Sequence, residues 1–399
     1  MKQTIRRRIA ALGTAVLLSG LSAGCGGSSA KAPETPEEFH AAAVGRAVVS
    51  TGNTARLGKA FDKAANGENV TISYVGGSIT EGYAAGAKSP DCYASLSAAA
   101  FQTAYCKGGT VTCQNHGLSG TPSILGNLRV SQEVLTESPD IIFLEFAVND
   151  GKDAEHRQSY ESLVRTCLEA ENAPAVILLF TYMENGHTCQ DQQQEIGAHY
   201  DLGMISVRDA VKPEFDAGRM KWSDYGDDNV HPSKAGHAFI AELIAEYFEQ
   251  AAAKKRDTSD QIPAETLNPV LDRPAALHDA VDLTYQNGAW APGTNNARFP
   301  AGFVYEPGEG NAPLRFKVTG KTFYLVYKLA NNKNFGMLGV HINGELKKVV
   351  QGYGANAWNG PAVIRCADYD ESTEMNVEIR MLDDHTDRQF EIFAFGVSG

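Results

Sequence analysis

The sequence predicts an α/β domain, a parallel sheet with helices on both faces, joined to a second domain that is all β. Three observations carry this. From Val70 to Gln250, apolar runs of strand length alternate with segments of helical periodicity, the order that builds a parallel sheet. Most of those runs are unbroken, as strands covered on both faces are. Near Ala251 the helical pattern stops, and short runs rich in aromatics and separated by turn residues take over.

The amino terminus reads as an export signal over residues 1–24. Lys2, Arg6, Arg7 and Arg8 precede an apolar stretch, Ile9 to Leu21, that is too short to span a bilayer and ends in Ser22-Ala23-Gly24. With Cys25 next, the arrangement resembles a bacterial lipoprotein signal. That resemblance implies lipidation of Cys25, although Ser22 stands where leucine is usual; a plain secretory signal is the other reading. Gly26 to Ala32, followed by Pro33, Glu34 and Pro36, reads as a flexible tether over 25–40.

The first domain is expected over 41–253. Its strands are Thr71 to Val75, Ile141 to Phe146, Val176 to Thr181 and Met204 to Val207. Tyr160, Leu163, Val164, Cys167 and Leu168 recur at helical spacing, as do Phe239, Ile240, Leu243, Ile244, Tyr247 and Phe248, with Ser233 as the amino-terminal cap of the second helix. A polar segment, 254–272, reads as a linker. The second domain, 273–399, shows short strands at Phe316 to Val318, Phe323 to Leu329, Leu338 to Ile342, Lys347 to Val350, Val363 to Arg365, Met375 to Met381 and Phe390 to Phe395. Thr319-Gly320-Lys321 and Asn343-Gly344 mark turns between them, and the whole suggests a β-sandwich of jelly-roll type.

Composition narrows the partners. A chain of 399 residues with 43% apolar content can bury two cores, and a net charge of -13 argues against nucleic acid or an anionic membrane as the main partner. A lipid on Cys25 would be the sole membrane contact. Of seven cysteines, Cys106 and Cys113 could close a short loop, while Cys167 on an apolar helix face reads as a free thiol. His116, His156, His187, His199 and His237 have no ligand spacing and read as loop or surface residues, so neither a metal nor another cofactor is expected.

The chemistry lies at the carboxyl ends of the strands, where sites form in such sheets. The run Val70 to Val75 gives way abruptly to Gly76-Gly77-Ser78, which holds a serine where substrate can reach it. Asp228-Asn229-Val230-His231 puts a carboxylate three residues before an imidazole. One turn can then present both, with His231 taking the Ser78 proton and Asp228 holding the ring. Between them lie Asn115-His116-Gly117-Leu118-Ser119-Gly120 and Ala147-Val148-Asn149-Asp150, each able to offer an N–H to an oxyanion. Taken singly, Ser78 is a helix cap and Asn149 and Gly120 are turn residues; four blocks in one order are much more specific.

That order, Ser, Gly, Asn, His, resembles the SGNH (GDSL-like) hydrolase superfamily over Val48 to Gln250, about half the chain. The resemblance implies a flavodoxin-like sheet and an esterase or acylhydrolase activity. It implies Ser78 as nucleophile, His231 as general base and Asp228 as orienting acid. The oxyanion hole would be the N–H of Ser78, the N–H of Gly120 and the side-chain amide of Asn149. Two departures stand out: Gly-Gly-Ser where the family name expects Gly-Asp-Ser, and Ala-Val-Asn-Asp where Gly-x-Asn-Asp is commoner. Neither removes a catalytic atom.

An exported enzyme joined to a sandwich domain resembles the carbohydrate esterases of polysaccharide-degrading bacteria. This implies an acetylated poly- or oligosaccharide as substrate and a place in the cell envelope or outside the cell. Trp358 and Trp290, set among glycine, asparagine and proline, are candidates for stacking on sugar or for wedging the domains together. Glu81 reads as a helix-start carboxylate and Asp150 as a structural one bonding loop N–H groups. Two alternatives remain: a lipid or thioester acylhydrolase with the same catalytic residues, and a noncatalytic glycan-binding lipoprotein.

Overall fold

The computed structural model describes residues 32–269 and 271–399. The expected signal at 1–24, Cys25 and the first part of the tether lie outside the described residues. In the amino-terminal unit, which ends at His40, the tether stops earlier than expected: helix α1, Pro36–Arg46, begins inside it. A reciprocal cap starts that helix. Thr35 Oγ1 accepts the Glu38 N–H at 3.2 Å, and the Glu38 carboxylate accepts the Thr35 N–H at 3.0 Å.

The α/β part is a six-stranded sheet. Its strands are β1 Val48–Ser50, β2 Val70–Gly76, β3 Val111–Gly117, β4 Ile141–Glu145, β5 Ala175–Phe180 and β6 Gly203–Ser206, in the order β1-β6-β5-β4-β2-β3. All pairings are parallel except β1 with β6, so one edge departs from the expected parallel sheet. Two edge strands escaped the sequence reading for opposite reasons. β1 has three residues, and β3 (VTCQNHG) is half-exposed at the other edge and so carries no apolar run. The last strand also ends one residue sooner than expected. Ser206 Oγ accepts the Asp209 N–H at 2.9 Å and caps a helix starting at Val207.

Alternation within the central strands sends successive side chains to opposite cores. Ile72, Tyr74, Phe143, Ile177 and Leu179 face one layer, with α2 Ala55–Ala65, α3 Ser78–Glu81, α4 Tyr93–Tyr105 and the carboxyl-terminal helix Lys234–Ala253. Val75, Ile142, Leu144, Val176 and Leu178 face the other, against Tyr160, Leu163, Val164 and Cys167 of the helix Ala154–Leu168. Both faces are therefore apolar, and each fully buried Leu or Phe contributes about 1.5–3 kcal/mol relative to exposure. The six described cysteines are free, Cys106 and Cys113 included, so the expected short loop is not closed by a disulfide.

The second domain is antiparallel and contains a nine-stranded sheet. Two long strands, Leu314–Leu329 and Gly360–Met381, pair along their lengths and carry the shorter ones. This corrects the sequence reading, which cut each of them in two. Thr319-Gly320-Lys321 is no turn: it is an irregularity in register within one strand, where a Cβ on Gly320 would fall 2.3 Å from Val397 Cγ1. Asn343-Gly344, by contrast, is the expected hairpin turn, with φ of 53° and 85°.

The burial pattern of Leu314–Leu329 shows how the two domains meet. Its first part alternates buried and exposed, as the skin of a sandwich does, and then Phe323 to Tyr327 are buried without a break. Phe323, Leu325 and Tyr327 fill the sandwich core, whereas Tyr324 and Val326 pack against Leu118, Ile124, Leu125 and Leu128 of the α/β domain. The segment 254–272 is bonded down along its length, through Asp257 to Thr54, Asp260 to Arg56 and Asp272 to Arg365. Among the described residues no helix is long and apolar enough to cross a membrane.

Candidate active site

Strand β2 runs into Gly76 and Gly77, and both positions are too crowded for a side chain. A Cβ on Gly76 would fall 2.1 Å from Thr80 Oγ1; one on Gly77 would fall 2.3 Å from Asn149 Oδ1. At the second glycine, where the family name expects aspartate, the Asn149 side chain lies against the turn that carries Ser78. Ser78 opens α3, a single turn closed by Gly82 at φ +100°.

Ser78 Oγ is 2.8 Å from His231 Nε2, and His231 Nδ1 is 2.8 Å from Asp228 Oδ2. The other carboxylate oxygen accepts the N–H groups of Val230 (2.8 Å) and His231 (2.7 Å), so Asp228 shapes the loop as well as holding the ring. Its neighbour Asp227 donates its N–H to the His231 carbonyl instead. Burial would raise the Asp228 carboxyl. Hydrogen bonds from the His231 side chain and the His231 and Val230 N–H groups outweigh it and hold the group below the usual carboxylate range. Ser233 Oγ accepts the Gly236 N–H at 3.2 Å and starts the long helix two residues after His231, as the sequence predicts.

Glu81 does more than favour a helix start. It accepts the N–H of Ser119 at 2.9 Å and the Ser119 hydroxyl, which tethers the loop carrying Gly120 to the turn carrying Ser78. Gly120 sits at φ +74°. Within the described residues neither the Ser78 nor the Gly120 N–H donates a backbone hydrogen bond, which leaves both free for a ligand oxygen. Asn149 follows β4 in a turn closed by its N–H to the Phe146 carbonyl at 3.0 Å. Asp150 is structural as expected: it accepts from Ser123 N–H at 2.8 Å and Gln193 Nε2 at 3.0 Å, and burial pushes its carboxyl up to about 6.

Ser78, Glu81, Gly120, Asn149 and His231 line one cavity of about 600 Å³. Three further residues in it were not singled out from sequence. Tyr83, 45% exposed, lies over His231 with ring centroids 4.1 Å apart. Its carbonyl is 3.0 Å from Nε2 of His237, whose Nδ1 accepts the Tyr93 N–H at 3.2 Å. His237 is fully buried, correcting the surface reading, and burial pushes it down to about 4. Asn296 and Arg298 enter from the second domain, and Arg298 pairs with Glu133 of the α/β domain. Nothing in the pattern near Arg298 marked it; Tyr83 was signalled only by lying just past the serine turn.

Trp358, also from the second domain, is 72% exposed in the same cavity, its ring at right angles to His231 and 6.2 Å away. Trp290 is a correction. It is 1% exposed in the sandwich core beside Tyr305 and Phe390, so it neither meets sugar nor wedges the domains, because the loop around it folds inward.

Fold and site together define a class, a GDSL-like hydrolase domain joined to a β-sandwich. Residues 74–239 match the model of the GDSL-like Lipase/Acylhydrolase family, so the α/β part of the chain is similar to that family over those residues. More particularly, most of the chain is similar in structure to a two-domain esterase (CEX) active on acetylated mannans. The match has a TM-score of 0.82 and 24% identity, covering 89% of this chain and 98% of that one. The same esterase co-crystallized with mannopentaose matches at a TM-score of 0.81 and 23% identity, with 89% and 98% covered. The lipase/acylhydrolase from Enterococcus faecalis matches at 23% identity and a TM-score of 0.38, covering 48% of this chain and 100% of that one. The curated proteins contain no match.

Proposed function

We propose that the protein is a serine esterase that removes short acyl groups, acetyl foremost, from poly- or oligosaccharide through an acyl-enzyme on Ser78. The observation that carries the reading is the continuous chain from Ser78 Oγ to His231 to Asp228, with both links at 2.8 Å, opening into a cavity. His231 Nε2 takes the hydroxyl proton as Oγ bonds to the ester carbon. The oxyanion is met by the N–H groups of Ser78 and Gly120 and the amide of Asn149. His231 then gives the proton to the departing sugar oxygen, and water repeats the cycle to release the acid.

Two features favour a glycan. Trp358 offers an exposed ring face beside the imidazole, where a sugar can stack. The structural relative that covers nearly the whole chain is an esterase active on acetylated mannans. An exported chain, as residues 1–24 and Cys25 predict, also meets polysaccharide directly. Acetate release from a panel of acetylated polysaccharides tests the proposal. Wild type should release acetate and Ser78→Ala none, and Asp228→Asn should lose roughly four orders of magnitude in kcat because the imidazole loses its orienting charge. Preference for long-chain over acetyl esters would move the assignment to a lipid acylhydrolase, and a wild type that binds glycan without releasing acid would end it.

A further inference from the structure

Glu145 is the last residue of β4, fully buried in a run that is otherwise apolar, and it does not line the catalytic cavity. A buried carboxylate of this kind costs free energy unless donors surround it. Four do. Thr80 and Thr181 donate their hydroxyls at 2.8 and 2.6 Å, and the N–H groups of Thr80 and Gly77 also face it. The Tyr93 hydroxyl lies 2.8 Å from Thr80 Oγ1 and extends the chain. Two of those donors bracket the nucleophile. The N–H groups of residues 77 and 80 face the carboxylate on either side of Ser78, and the Thr80 hydroxyl ties the turn to it.

We propose that Glu145 is a positioning residue for the ester hydrolysis: its ionised carboxylate gathers Gly77, Thr80 and Thr181 and so holds the turn that aims Ser78 Oγ and N–H at the substrate. The inference rests on the serine-esterase reading above. An ionised carboxylate accepts from all four donors. A protonated one carries its own O–H, so one threonine hydroxyl must turn round and the anchor loosens. Burial pushes the Glu145 carboxyl up to about 7, against the hydrogen bonds from Thr181 and Thr80. Tyr93 from α4, Tyr160 from the helix Ala154–Leu168 and Tyr225 from the short helix Trp222–Tyr225 face the same cluster, all pushed upward by burial and neutral in this range. His231 acts on Ser78 from its own loop. The tightening of the turn therefore follows the charge on Glu145, and activity gains a component that rises with pH as Glu145 ionises.

The test compares wild type with Glu145→Gln on p-nitrophenyl acetate, with fluorophosphonate labelling of Ser78 run on separate samples of each protein. The amide mimics the loosened form at every pH. Its kcat should fall about tenfold below wild type near pH 8.5, with the gap closing toward pH 5.5 and KM within about twofold. A gap that stays constant with pH, or an unchanged kcat, overturns the proposal even where Ser78 labels normally. Failure of wild type to label overturns the esterase reading itself. Thr181→Val is the second variant, needed if Glu145→Gln does not fold. Losing one donor raises the carboxyl's pKa further, so the rising limb should move to higher pH, and an unmoved limb overturns the assignment.

Discussion

At the scale of single residues the site is built by close approach. Gly77 has no room for a Cβ because the Asn149 side chain occupies the space, and that contact places an amide beside the serine. Gly77→Ala should therefore behave as the loss of an oxyanion donor, with kcat on a small acetyl ester reduced about a hundredfold or more and a folded protein by circular dichroism. Activity close to wild type in that variant would mean that Asn149 has no part in the chemistry.

Among elements, the loop following β4 does the joining. Asp150 receives the first N–H of the helix Ser123–Glu133 and the Gln193 amide of the helix Gln190–His199, so one carboxylate ties two helices to the loop after β4 that carries Asn149. Its pKa is raised on folding to about 6, which fixes the sign of a pH effect. Between the usual aspartate value and that value the folded chain holds a proton that the unfolded chain has lost. The contribution of Asp150 to stability is thus greatest in acid and declines as pH rises to about 6. Asp150→Asn has no such proton. Melting temperatures at about pH 4 and pH 8 should show the variant gaining on wild type at the higher pH, and a constant difference between the two proteins would contradict the linkage.

Over the whole molecule, the two domains share one apolar seam. Leu118, Ile124, Leu125 and Leu128 meet Tyr324, Val326 and Phe393, and a Cβ on Gly396 would fall 2.5 Å from Leu128 Cδ1. That fit fixes Trp358 and Arg298 at the catalytic cavity, although both belong to the second domain. Trp358→Ala should raise KM for acetylated polysaccharide about tenfold while leaving hydrolysis of p-nitrophenyl acetate within about twofold, since only the polymer needs a stacking face. Equal losses on both substrates would show that the ring serves His231 and not the sugar.

The serine on its glycine turn, the Asp-x-x-His turn, the central strands and the change from α/β to all β were legible because each leaves a local mark: a glycine turn after a buried run, a fixed spacing, a period. β3 was hidden by its half-exposed edge, and the two long strands of the sandwich were split because Gly320 imitates a turn. Glu145 was visible as the one charge in Ile141 to Phe146, but its partners come from Thr80 and Thr181, far apart in the chain. Sequence by itself determined the order of elements and pointed to the candidate groups Ser78, His231 and Asp228, since these follow from side-chain type and local backbone preference. Only the tertiary structure decided that Tyr83 lies over the imidazole, that Trp290 is buried while Trp358 reaches the cavity, and that a second domain completes the site. Such contacts join residues that chain connectivity leaves independent, and packing alone brings them together.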